Sequence, residues 1–167
     1  MSSLWTENIE MPEFPTLEKD IRTQVLIIGG GMAGVLCAYF LQQAGVEYCL
    51  LEKDRICQGV TGHTTAKITA QHGLIYEKSL QSMGQERAEL FLKANLKAVE
   101  NYKNLGRFLD CDMEEMDSYL YSVRERRKLE SEIQALGSLG FQADYVEDTE
   151  LPFEVEGAIR FPRQAQF

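Results

Sequence analysis

Two apolar periods run along this chain, and the places where one gives way to the other mark its elements. Residues 1–20 are polar and hold Pro12 and Pro15, so they read as an extended arm. Val25-Leu26-Ile27-Ile28 is an uninterrupted, mostly β-branched run, which predicts a strand buried on both faces in a parallel sheet. Glycines follow it. Val35, Ala38 and Leu41 then recur at helical spacing, and Gly45 supplies a stop. Glu47 to Leu51 reads as a second strand. Strand, helix and strand within about 30 residues make one βαβ unit with a right-handed crossover.

Downstream the signal weakens. Ile56 to Tyr76 is rich in Gly and Thr and predicts a long ordered loop with short elements, a kind of loop that is usually functional. Ser82 and Gln85 have the spacing of a capping box. The helix expected after them carries Ala88, Leu92, Leu96, Val99 and Leu105 on one stripe, as far as about Phe108. Tyr119, Tyr121 and Val123 alternate, which predicts a strand over 117–123. Leu129, Ile133 and Leu136 mark a helix that stops at Gly140, and Phe141 to Val146 reads as a further strand. The tail from Leu151 to Phe167 has two prolines and predicts an irregular connection with a short strand near Ala158-Ile159-Arg160-Phe161. The expected organisation is an arm over 1–20, a dinucleotide-binding segment over 21–108, and the start of an α+β domain over 109–167.

Composition narrows the partners. Among 167 residues, 17 are basic and 26 acidic, giving a net charge of −9. That balance argues against nucleic acid and against an anionic membrane surface, because phosphate binding needs a basic face. Val25 to Leu41 is uncharged and at the lower limit of length for a membrane span, but its four glycines argue for a turn instead. The start, Met1-Ser2-Ser3-Leu4-Trp5, lacks the basic and apolar regions of a signal peptide. Cys37, Cys49, Cys57 and Cys111 form no C-x-x-C pair, so no metal site is expected, and free thiols suit a reducing cytoplasm.

The chemistry rests on Gly29-Gly30-Gly31-Met32-Ala33-Gly34, which fits G-x-G-x-x-G between a predicted strand and a predicted helix. Gly29 allows the tight turn, Gly31 lets a pyrophosphate approach the backbone, and Gly34 lets the helix pack close to the strands. The amides at Met32 and Ala33 open the helix, where free N–H groups and the helix dipole favour phosphate. Glu52, followed by Lys53, ends the second strand near the expected separation of about 20 residues. Its carboxylate can accept both hydroxyl protons of an adenosine ribose and would repel a 2′-phosphate. Without that chemistry, the same residues are a glycine-rich turn in an ordinary α/β core. The motif alone leaves FAD and NAD both open.

The pattern from Val25 to Lys53 resembles the extended fingerprint of FAD-dependent oxidoreductases of the D-amino-acid oxidase and glycine oxidase type, with Ala38, Leu41 and Gly45 at the fingerprint's later positions. Gly59-Val60-Thr61-Gly62-His63-Thr64-Thr65-Ala66-Lys67-Ile68-Thr69 resembles the family loop beside the pyrophosphate and the flavin ring. The resemblance thus implies FAD as cofactor, with Thr61, Gly62, Thr65, Ala66 and Lys67 lining it. It also implies a Rossmann-like FAD/NAD(P)-binding fold, parallel and α/β, joined to the beginning of a substrate domain. The Ser3-Leu4-Trp5 opening, residues 64–76, and Pro152-Phe153 with Gln164-Ala165-Gln166-Phe167 are similar to a bacterial subgroup often fused to a C-terminal Rieske domain. Such a centre needs two Cys and two His in a cluster, which this chain is expected to lack. Family members run on well past Phe167.

Other signals carry no chemistry of their own. Asp110 to Asp117 packs five acids into eight positions, but Glu115 stands where a calcium loop needs glycine, so a solvated turn is expected. His63 and His72 read as polar loop residues, and Cys37 and Cys49 as small buried thiols. The implied activity is hydride transfer from the C–N bond of an amine or amino acid to flavin, with no catalytic residue assigned within this chain. Two alternatives stand beside it: a truncated, non-catalytic fragment that self-associates and binds FAD poorly, and an NAD-dependent dehydrogenase. The expected partners are a small-molecule substrate and further copies of the chain, through exposed sheet or substrate-domain surface.

Overall fold

The computed structural model describes residues 10–167, so the Ser3-Leu4-Trp5 opening lies outside the described residues. Residues 10–20 form no helix or strand and are exposed apart from half-buried Met11. The chain divides into two units, one ending at Thr65 and one beginning at Ala66.

In the first unit, strand β1 (Val25–Ile28) pairs in parallel with β2 (Tyr48–Leu51), with Val25 opposite Tyr48 and Ile28 opposite Leu51. Helix α1 (Met32–Gln43) connects them. A glycine turn separates β1 from α1, so the uncharged run from Val25 to Leu41 is two short elements. Among the described residues no helix is long and apolar enough to cross a membrane. Ile27 points at α1, where its Cγ2 approaches Gly34. The other face of β1 is open, with Leu26 51% and Ile28 83% exposed. The expectation of a strand covered on both faces is therefore corrected, because the described sheet here has two strands and α1 covers one side. The covered face of α1 runs through Gly34, Ala38 and Leu41, while Val35 and Cys37 turn outward.

The second unit is an antiparallel sheet backed by three helices. Its central strand is β6 (Gly157–Gln166). One edge of β6 pairs with β4 (Glu114–Ser122), and the other pairs with β5 (Asp144–Val146) at one end and β3 (Lys67–Ile68) at the other. Helices α2 (Tyr76–Met83), α3 (Gln85–Gly106) and α4 (Arg126–Ser138) pack around Tyr76, Leu92, Leu129, Leu136, Ile159 and Phe161. A smaller cluster joins Val99 of α3 to Ile68, Ala70 and Ala165. Thus α3, grouped by sequence with the dinucleotide-binding segment, packs within the second unit.

Three local expectations differ from the structure. Ser82 lies in the last turn of α2, and Gly84 begins α3 with no side-chain cap, so no capping box forms; Gln85 instead donates to the Ser138 carbonyl at 3.2 Å. The tail is a ten-residue central strand that runs through Pro162. It does so at a bulge, where the register with β4 shifts between Met116 and Ser118 and the Arg163 N–H donates to Asp117 Oδ1 at 3.0 Å. Proline lacks a ladder donor and is tolerated at such a bulge. The acidic run also does more than face water. Glu115 sits in β4 and accepts from buried Lys103 at 3.1 Å, and Lys103 in turn donates to the Arg163 carbonyl at 3.2 Å.

A buried carboxylate fixes the start of α2. Glu132 of α4 is fully buried and accepts from the Tyr76 and Glu77 amides, each at 2.9 Å, and from Gln71 Nε2 at 2.9 Å. Burial and the neighbouring Glu132 carboxylate push the Tyr76 hydroxyl far above its ordinary pKa, and that hydroxyl donates to the Ala70 carbonyl at 2.5 Å.

Candidate functional site

The site lies where β1 ends, and it belongs wholly to the first unit. Gly29 turns the chain at φ 106, a conformation that favours glycine, and its N–H donates to the Leu51 carbonyl at 2.8 Å. That bond pins the turn to the end of β2, so the residue after Leu51 arrives beside the glycines. Gly30 is buried. Its N–H donates to Glu52 Oε2 at 2.7 Å, and its carbonyl accepts from the Cys57 N–H at 2.8 Å. Gly34 makes the closest approach: a Cβ there would overlap the Gly29 carbonyl oxygen and lie 3.1 Å from the Gly29 carbonyl carbon.

The start of α1 has no cap of its own. Gly31 is the N-cap residue with no side chain to offer, and the first turn holds no acid. The acceptor that reaches it comes from a 3-10 turn over Val60–His63: the Met32 N–H donates to Thr61 Oγ1 at 3.0 Å. The amides of Ala33 and Gly34 have no intrahelical acceptor, as at any helix start. His63 Nδ1 donates to the Gly59 carbonyl at 2.9 Å, closing the same turn.

Glu52 accepts a second bond, from the Asp54 N–H at 3.1 Å. These amides, Gly30 first, hold its carboxyl below the usual carboxylate range, with a smaller contribution from the Lys53 ammonium. Exposed Lys53 also lies 3.4 Å from Asp54, a surface pair of little energetic weight.

A cavity of about 920 Å³ opens over these groups, lined by Gly31, Glu52, Lys53 and Thr61 among the residues singled out by sequence. Gly29, Met32, Ala33 and Gly34 belong to the turn and helix start on either side of Gly31 and do not themselves line it. Gly62 is buried within the 3-10 turn and Thr65 is exposed at the unit's end. Ala66 and Lys67 open the second unit: the Ala66 carbonyl accepts from the Phe167 N–H at 3.1 Å, and Lys67 pairs with Gln166 in the sheet. Sequence reasoning passed over several contributors, Gln58 among them. Asp54, Arg55 and Cys57 line the cavity, and Cys57 adopts φ 57. Burial pushes the Cys57 thiol up. No sequence signal marks Cys57, since its role is a backbone bond to Gly30. Gly30 itself had a signal, as the middle of three glycines: a Cβ there would lie 2.8 Å from Ile56 Cγ2 and 3.1 Å from Glu52 Cβ.

Chemically, the arrangement sets the start of a helix, with amides that have no intrahelical acceptor, at a cavity that its N-cap Gly31 and a charged carboxylate both line. The amides suit the oxygens of a diphosphate, and the carboxylate suits hydroxyl donors such as a ribose. The absence of a Cβ at Gly31, whose nearest would-be neighbour is Thr61 Oγ1 at 3.4 Å, leaves the backbone approachable from the cavity.

Comparison with known proteins agrees in type. The DAO family model, described as FAD dependent oxidoreductase, matches residues 24–167. A putative Rieske 2Fe-2S iron-sulfur protein, YhfW, of Bacillus subtilis is 36% identical over 98% of this chain and 33% of its own length. Rat mitochondrial dimethylglycine dehydrogenase is 42% identical over 40% of this chain and 8% of its own. Gamma-glutamylputrescine oxidoreductase of Escherichia coli is 27% identical over 59% of this chain and 24% of its own. The chain spans about a third of the length of the first of these relatives.

Proposed function

We propose that this chain, which belongs to the family of FAD-dependent oxidoreductases, carries the FAD-binding face of an enzyme that takes hydride from the C–N bond of an amine or amino acid. One observation carries the reading: Glu52 Oε2 stands 2.7 Å from the Gly30 N–H, so the acid and the glycine turn face one cavity. In this reading β1, α1 and β2 form a Rossmann-type βαβ unit. Gly31, Met32, Ala33 and Gly34 present amides to the diphosphate, Gly29 sets the turn, and Glu52 with Lys53 meets the adenosine ribose. Thr61, Gly62 and Thr65 would continue the cofactor-lining stretch within the first unit. The bound flavin would supply the redox chemistry, while the chain supplies binding and orientation. Two relatives are named for amines, dimethylglycine and gamma-glutamylputrescine, which supports an amine as the substrate class. Four free thiols suit a reducing compartment such as the cytoplasm.

Thermal shift tests the reading, because a ligand that binds only the folded state raises its stability. FAD is expected to raise the melting temperature, and Glu52→Ala to reduce that rise. Protection by NAD and none by FAD would replace this reading with a dehydrogenase. An unchanged FAD response in Glu52→Ala would remove the ribose assignment.

A further inference from the structure

Strand β4 closes one side of the second unit's sheet: among the described strands the order is β3, β6, β4, with β5 also on β6. A strand edge presents unpaired N–H and C=O groups, and charges, prolines or bulges usually keep other chains off it. β4 is guarded over one half only. Glu114, Glu115 and Asp117 stand at its start, with the register shift between Met116 and Ser118. The rest, Ser118-Tyr119-Leu120-Tyr121-Ser122, holds no charge and no proline, and Tyr119, Tyr121 and the following Val123 are exposed. Short uncharged segments rich in aromatic residues pair readily with another strand.

The flanking charges choose the occupant. Glu115 and Asp117 are engaged within the chain, with Lys103 and Arg160. Exposed Glu114, at the start of β4, forms no ion pair among the described residues, and neither does exposed Arg124, just past its end. Parallel pairing with a second copy would set acid beside acid and base beside base. Antiparallel pairing about Leu120, the midpoint of the uncharged run, brings Glu114 of each copy near Arg124 of the other and sets Tyr119 against Tyr121 twice. We propose that β4 is a self-pairing edge: two copies of the chain join their β4 strands antiparallel across a two-fold axis at Leu120, so that the two sheets continue as one. Such a contact uses the same patch on both copies and closes at two. It does not depend on the cofactor reading.

Sedimentation over a concentration series, with hydrogen exchange, tests this on the whole chain. A dimer is expected, and the amides of residues 118–122 exchange more slowly as it forms. Tyr119→Glu puts a charge into the uncharged run, at a position that faces Arg160 within its own sheet, and is expected to give a monomer with an unchanged circular dichroism spectrum. Arg124→Glu is expected to weaken dimerisation about 5-fold, because two attractive pairs become repulsive, and adding Glu114→Arg to it is expected to restore the dimer. A chain that stays monomeric would overturn the proposal. So would association that leaves the 118–122 amides unprotected, or that persists in Tyr119→Glu, since another surface such as the open face of β1 would then be responsible. A double charge exchange that fails to recover the loss in Arg124→Glu would overturn the antiparallel pairing, and that arm decides the matter even where Tyr119→Glu does not fold.

Discussion

Gly34→Ala puts the most weight on the smallest change. The added Cβ would overlap the Gly29 carbonyl oxygen and come within 3.1 Å of its carbon and 3.4 Å of Ile27 Cγ2. Two of those atoms are backbone, and the Gly29 amide is already bonded to the Leu51 carbonyl at 2.8 Å, so the turn cannot swing aside freely. The relief left is for α1 to lift away from β1, which carries the Met32 and Ala33 amides with it. Overpacking of this kind costs about 1–3 kcal/mol. Near ~2 kcal/mol the folding equilibrium falls by a factor of ~30. Gly137→Ala is the matched control, because Gly137 lies inside α4 and a Cβ there meets nothing within 4 Å. That change is expected to stabilise by about 0.5–1 kcal/mol through helix propensity. Urea unfolding gives both values, and FAD titration gives the second readout, where Gly34→Ala should bind at least ~10-fold more weakly as the amides move. A Gly34→Ala chain with wild-type stability and wild-type FAD affinity would refute the claim that the close crossing of α1 over β1 positions the site.

Three further outcomes follow from the same geometry. Glu132→Ala removes the acceptor of the Tyr76, Glu77 and Gln71 donors and should cost about 3 kcal/mol or more, since each buried unpaired group costs about 1–3 kcal/mol; an unmoved urea midpoint would contradict it. Glu52 has a carboxyl held low in the folded state, so its contribution is fully present above the ordinary carboxylate pKa and is lost as pH falls through the lowered value. Melting temperature should therefore fall less steeply between about pH 5 and about pH 3 in Glu52→Gln than in the wild type, and identical slopes would count against the Gly30 bond. The open face of β1, with Leu26 and Ile28, favours association of chains in solution; a clean monomer by light scattering across a concentration series would exclude that.

The strand, turn, helix and strand of the first unit were legible because each is written locally: a β-branched run, three glycines, a helical repeat, then an acid after an apolar pair. The helix over Tyr76–Met83 was not, because its N-terminal amides are satisfied by Glu132, a residue of α4 more than 50 positions away. The full length of β6 was hidden by Pro162, which argues for a break unless the Asp117 bulge opposite it is known. Alternation at Tyr119 and Tyr121 gave the strand but not its orientation; these two face outward, Tyr119 at 53% exposure, while Leu120 packs on the core. In the site, Glu52 and the outer glycines were readable from spacing. Gly30, Cys57 and the Thr61 cap were not readable in their roles, because those roles are contacts between the glycine turn and loops that follow β2.

The amides opening α1 and the carboxylate of Glu52 are proposed to face one ligand, FAD. Backbone NMR of the chain during titration with FAD tests it residue by residue. Saturable shifts centred on Gly31, Met32, Ala33 and Glu52 are expected, with Thr61 moving alongside Met32. Saturation with those five resonances unmoved, or no saturable shift at all, would contradict it.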